Sequence, residues 1–139
     1  MHFRDTMTLE DYIKLDQKRN RGKSAASEHD LQVSCVNWFR YTHPKYARLL
    51  MAIPNGGQRN SIVAAKLKAE GVVSGVPDMF LAIAKHDKHG LWIEMKNGKA
   101  GRLSDHQKVM IKKLEEEGYL CIVCHNIDEF VDVIEKYLS

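Results

Sequence analysis

The chain predicts a mixed α/β domain, a small sheet with helices on both of its faces, in the element order α-β-α-β-β-α-β-α. Three observations carry that expectation. Apolar runs of strand length alternate with stretches of helical periodicity, which favours a mixed sheet enclosed by helices. Two helix starts are marked by capping boxes, at Ser27 and at Ser104. Two of the strand-like runs follow one another across a short polar turn and read as a hairpin. No internal repeat or low-complexity segment competes with this reading.

Residues 1–26 are expected to be an arm or linker: a short helix from Thr8 to about Lys18, then the basic, small-residue stretch "KRNRGKSAAS". The domain proper is expected over 27–139. Ser27 caps the first helix with Asp30 at its third position, and Leu31, Cys35, Trp38 and Phe39 recur at helical spacing. "ARLLMAIP" reads as a strand closed by Pro54, "NGG" as a turn, and "SIVAAKLKAE" as a helix stopped at Gly71. "PDMFLAIA" and "LWIEMK" are the hairpin strands, joined by "KHDKHG"; "NGKAGR" is a loop. Ser104 and Gln107 open the next helix and Gly118 ends it. "YLCIVCH" is an apolar strand, and Asn126 caps a last helix that reaches Leu138.

The 139 residues suffice for one domain with a real core, and 44% apolar with 28% charged residues is ordinary for a globular protein. No apolar run is long enough to span a bilayer, and the N-terminus has no signal-peptide core, so no membrane partner is expected and the cytoplasm is the expected compartment. A net charge of +3 fits a nucleic-acid partner without demanding one. Three cysteines, an odd number, argue against a disulfide framework. Cys121, Cys124 and His125 match a haem-attachment string, but in a strand residues three apart face opposite ways, so core thiols and no haem are expected.

The hairpin places charge where an apolar core would be expected. Asp78 begins its first strand; Glu94 and Lys96, two apart and so on one face, end its second. In a hairpin centred on "KHDKHG", Asp78 falls across from residues 96 and 97. Two carboxylates brought together repel unless a positive group joins them. Lys96 can be that group, making a strand-end salt bridge. A hard divalent cation is the other candidate: Mg2+ favours one or two carboxylates and keeps several waters, with room for a phosphate.

The stretch "GVPDMFL", followed by "WIEMKNGKAGRLSDHQ", resembles the PD-(D/E)xK nuclease motif. More narrowly it resembles the virus-type replication-repair nuclease (VRR-NUC) domain in a stand-alone, phage-like form, from about Glu28 to Leu138. That resemblance implies the restriction-endonuclease-like fold and a metal-dependent DNA endonuclease, using Mg2+ or Mn2+, in a bacterial or phage-infected cell. It implies Asp78, Glu94 and the Met95 main-chain carbonyl as metal ligands, with Glu28 completing the set. Lys96 is implied as the catalytic lysine and Gln107 as the helix glutamine that supports the site. It further implies a homodimer acting on branched DNA such as a Holliday junction. A nicking or flap nuclease, and a non-catalytic DNA-binding module of the same fold, are the alternatives.

On the residues themselves, Glu28, Gln32, Cys35 and Phe39 form one helical stripe, so Glu28 can face the protein. Gln107 already has a role in a capping box. Some nucleases of the superfamily carry an aromatic four residues after this glutamine; here the residue is Ile111. Asn55, Arg59, Lys99 and Arg102 are candidate DNA contacts. His86 and His89 are expected in a solvated turn.

Overall fold

The computed structural model describes Lys14 and residues 27–54, 60–98 and 102–139. The expected helix at Thr8–Lys18, apart from a helical and exposed Lys14, lies outside the described residues.

The first helix, α1, spans Glu28–Thr42 and has the expected capping box: Asp30 N–H donates to Ser27 Oγ, and Ser27 N–H to Asp30 Oδ2. After it comes a correction. Ala47–Leu49 belong to a 3-10 helix, Pro44–Leu49, and strand β1 is only Leu50–Ala52. Pro44 at the start of a turn supplies a helical φ and no lost donor, so the chain coils before it extends. Helix α2, Ser61–Ala69, is capped by Asn60, whose Oδ1 accepts from Val63 N–H. Strand β2 is Met79–Leu81 and β3 is Leu91–Met95. Helix α3, Asp105–Glu116, strand β4, Leu120–Cys124, and helix α4, Ile127–Leu138, complete the order.

The four strands lie in sequence order, β1 and β2 antiparallel to their neighbours and β4 parallel to β3. The parallel pair needs a crossover, which α3 provides. This is the mixed sheet the sequence predicts. One face carries Leu50, Met79, Leu81, Leu91, Ile93, Met95 and Cys124, all buried. Cys35, Trp38 and Phe39 of α1 and Phe130, Val131 and Ile134 of α4 close over it. Trp38 meets Phe130 edge to face at 6.0 Å, tying the two helices together. Each fully buried Leu, Ile, Met or Phe contributes about 1.5–3 kcal/mol relative to exposure.

The other face is different. Asp78, Phe80, Trp92, Glu94 and Lys96 point to it, by alternation along the paired strands. Phe80 stacks on Trp92 with centroids 4.4 Å apart, and Tyr119 meets both edge-on. Helix α3 covers this face near β4, where the Cys121 thiol reaches Ile111 O. Cys121 and Cys124 do lie on opposite faces, and all three cysteines are free. Burial pushes the thiols of Cys121 and Cys124 up to about 11 and about 12.

Candidate metal and catalytic site

The hairpin register differs from expectation, and the difference matters. Met79 pairs with Ile93, so Asp78 lies opposite Glu94 rather than residues 96 and 97. Two causes combine. The tight turn sits at His86 and Asp87, both in the left-handed region with φ of 53° and 60°, toward the front of the polar hexapeptide. The bridge Lys85–Lys88 and the pair Leu81–Leu91 then leave three residues on one arm against two on the other. That uneven count slips the strands by one more residue. The net shift of two or three residues puts the carboxylates directly across from each other.

The turn is not simply solvated either. His86 Nε2 lies 2.9 Å from Tyr137 O at the end of α4, and the His89 ring packs on Tyr119. Both histidines are exposed but docked, and they brace the far end of the hairpin.

At the near end, β2 begins only at Met79, and Asp78 follows Pro77. Met95 N–H therefore donates to the Asp78 side chain, at 2.8 Å to Oδ2. In a strand the carbonyl lies on the same edge as the amide of its residue, so Met95 C=O faces the Asp78 side. Glu94 is buried, only 3% exposed. Its Oε1 accepts from Gln107 Nε2 at 3.2 Å and lies 3.8 Å from Lys96 Nζ. Its Oε2 is sealed from water and meets no donor among the described residues. Lys96 is itself mostly buried, with 13% of its side chain exposed.

Burial first, then the closeness and charge of Asp78, push the Glu94 carboxyl up to about 8; Lys96 pulls the other way and Glu28 adds to the rise. An acid buried beside another acid, with one oxygen unmatched, lacks positive charge. That is the environment a divalent cation satisfies, and the donors, two carboxylates and a carbonyl, are all hard oxygen ligands.

Gln107 makes two contacts at once. Its Oε1 accepts from Ser104 N–H at 2.9 Å, closing the capping box, while its Nε2 faces Glu94. The cap orients the amide that holds the carboxylate. What aims α3 there is Gly75, at the head of the "GVPDMFL" stretch and not among the candidate residues of the sequence. Its φ is +87°, and an added Cβ would stand 2.5 Å from His106 O. The main chain before Asp78 thus packs directly on the first turn of α3. A positive-φ glycine three residues ahead of a candidate ligand was the available signal.

Glu28 is placed less favourably. The stripe holds for Cys35 and Phe39, both fully buried, but Glu28 at its end is exposed. It acts on Glu94 through charge. Among the described residues no three His, Cys, Asp or Glu side chains form a ligand cluster, which leaves Asp78 and Glu94 as the candidate side-chain donors. Arg102 is exposed near the start of α3, whereas Asn55, Arg59 and Lys99 lie outside the described residues.

Among the described residues no helix is long and apolar enough to cross a membrane. The family model of the VRR-NUC domain matches residues 14–127. A solved structure described as a VRR_NUC domain protein is similar to this chain with a TM-score of 0.73 and 30% identity, over 83% of this chain and 90% of that one. No curated protein matches.

Proposed function

The chain belongs to the VRR-NUC domain family, a nuclease-type family with the PD-(D/E)xK fold, and on that premise we propose that it is a Mg2+- or Mn2+-dependent endonuclease acting on branched DNA as a homodimer. One observation carries the chemistry: two opposed carboxylates, one of them buried with an unmatched oxygen, beside a mostly buried lysine. A salt bridge alone accounts for Lys96 and one oxygen of Glu94. It leaves Glu94 Oε2 and the second acid unexplained.

Asp78, Glu94 and the Met95 carbonyl would hold the cation. When bound, it acidifies a water and offsets charge growing on the phosphate oxygens. The protein's own groups then have separate tasks. Gln107 fixes Glu94 Oε1, which leaves Oε2 to face the cation. The Met95 amide fixes Asp78 in the same way. Lys96, a compact charge on a flexible stem, orients the attacking water, takes up its proton or meets the phosphate. The Phe80–Trp92 stack lies on the same face as the carboxylates, beside them along the strands.

One domain of this size has little surface for reading bases, so backbone and shape contacts would select the substrate. A two-fold dimer supplies two identical sites for the two cuts that a four-way junction needs. The test is cleavage of a synthetic four-way junction and of its linear arms, with Mg2+, with Mn2+ and with chelator. Metal-dependent cuts placed symmetrically on the junction are expected. Cleavage that survives chelation, or equal rates on linear duplex, would contradict the proposal.

A further inference from the structure

Helix α2 contributes no residue to the core: none of its nine residues is buried. Ile62 is 73% exposed and Val63 41% exposed. Short isolated helices are marginal in water, and packing normally supplies their stability. Here a well-capped helix presents apolar side chains to solvent.

Its charge and its position limit what can meet it. The helix carries Lys66 and Lys68 and no acid. Ile62 and Lys66 are four apart and share one face, so apolar surface and positive charge sit side by side. Described segments on either side of the helix reach Asp78. The chain leaves β1 through Ile53, whose N–H donates to Asp78 O at 2.8 Å. It returns through residues 70–77 to Asp78 itself. The helix thus leads, through its C-terminal side, to the end of the sheet where Asp78 and Glu94 meet.

A second copy docked symmetrically on α2 would gather the lysines of both helices into one interface with no acid of either helix to pair them. A lipid surface would find too short a helix with too few apolar groups. A nucleic acid opened at a branch suits both features: phosphates for the lysines and an unstacked base for the apolar tip.

We propose that α2 is the element that senses the branch, with Ile62 packing on a base exposed at the junction and Lys66 contacting a neighbouring phosphate. This rests on the reading of the protein as a nuclease of branched DNA. It adds residues outside the carboxylate site that decide which DNA is bound.

The test is fluorescence-anisotropy binding, without metal, to an immobile four-way junction and to a linear duplex of its arms, over a range of salt. Ile62→Ser should weaken junction binding by about tenfold or more and leave duplex binding unchanged. Ile62→Phe should restore it, since a larger apolar face packs on a base at least as well. Lys66→Ala should weaken both and reduce the salt slope by about one. Melting temperatures should match wild type, because these side chains are exposed. Junction binding by Ile62→Ser equal to wild type overturns the proposal. So does a fall in mass by light scattering, which would make a second copy the occupant. A wild-type protein that binds neither DNA overturns the nuclease reading itself, a result distinct from either.

Discussion

The environment of Glu94 favours its protonated form, and that preference has consequences for stability. Its carboxyl is raised by burial and by Asp78 to about 8 in the folded chain against 4.5 in a free one. The folded state therefore binds more protons between those values. With metal absent, stability should fall as pH rises from about 5 to about 8, by an amount on the order of a few kcal/mol. Glu94→Gln removes the titration, so its melting temperature should fall less over that window. Matching slopes for the two proteins would show that the environment of Glu94 is not the source. Asp78 calls for a conservative change. Asp78→Ala relieves repulsion but orphans the Met95 N–H, a loss of about 1–3 kcal/mol. Asp78→Asn keeps an acceptor, so it should melt near wild type and yet lose cleavage; substantial remaining activity would remove Asp78 from the site. Lys96→Ala should lose turnover while manganese affinity in calorimetry stays within a few-fold, because an ammonium acts on water or phosphate and not on the cation. These three residues were legible from their charge at strand ends. The facing of Asp78 and Glu94 was not, because a bulge of one residue is a product of turn geometry that spacing alone cannot supply.

Two contacts between elements decide whether the site is assembled. The loop before Asp78 meets the first turn of α3 through Gly75, at a distance no side chain tolerates. Gly75→Ala should cost at least about 1–2 kcal/mol from its backbone angle alone. It should also push His106 and Gln107 away from Glu94. Cleavage should then fall by more than the folded fraction does, measured by activity against circular dichroism at one temperature. If activity and folded fraction fall together, Gly75 is only structural. The Trp38–Phe130 contact holds α1 to α4, and Phe130→Ala should cost about 3–5 kcal/mol without selectively affecting the site. Helix starts were the most legible elements, since Ser27, Ser104 and Asn126 cap as their residue types dictate. The segment before β1 was less so: "ARLLMA" has strand composition, but Pro44 coils its first half into a 3-10 turn. The dual role of Gln107 was only half visible, because a capping box can be read locally whereas its free amide depends on a tertiary approach.

At the scale of the whole molecule the sheet separates two functions. Its apolar face, closed by α1 and α4, stabilises the fold, while its other face stacks aromatics beside a pair of acids. The fold class was readable because alternation and capping are local signals. The branch-sensing role proposed for α2 was not, since its sequence pattern is that of an ordinary half-buried helix and only the absence of packing sets it apart. The central claim is that the acid pair exists to hold a divalent cation. Its most direct test is calorimetric titration of Mn2+ at pH 6.5 in buffers of different ionisation enthalpy, which reports both affinity and protons exchanged. With its carboxyl raised to about 8, Glu94 should hold a proton at that pH without metal, and binding should expel it. The prediction is saturable binding with about one proton released per ion by wild type, and loss of that release in Glu94→Gln. Absence of saturable binding, or identical proton release from the variant, would contradict the account.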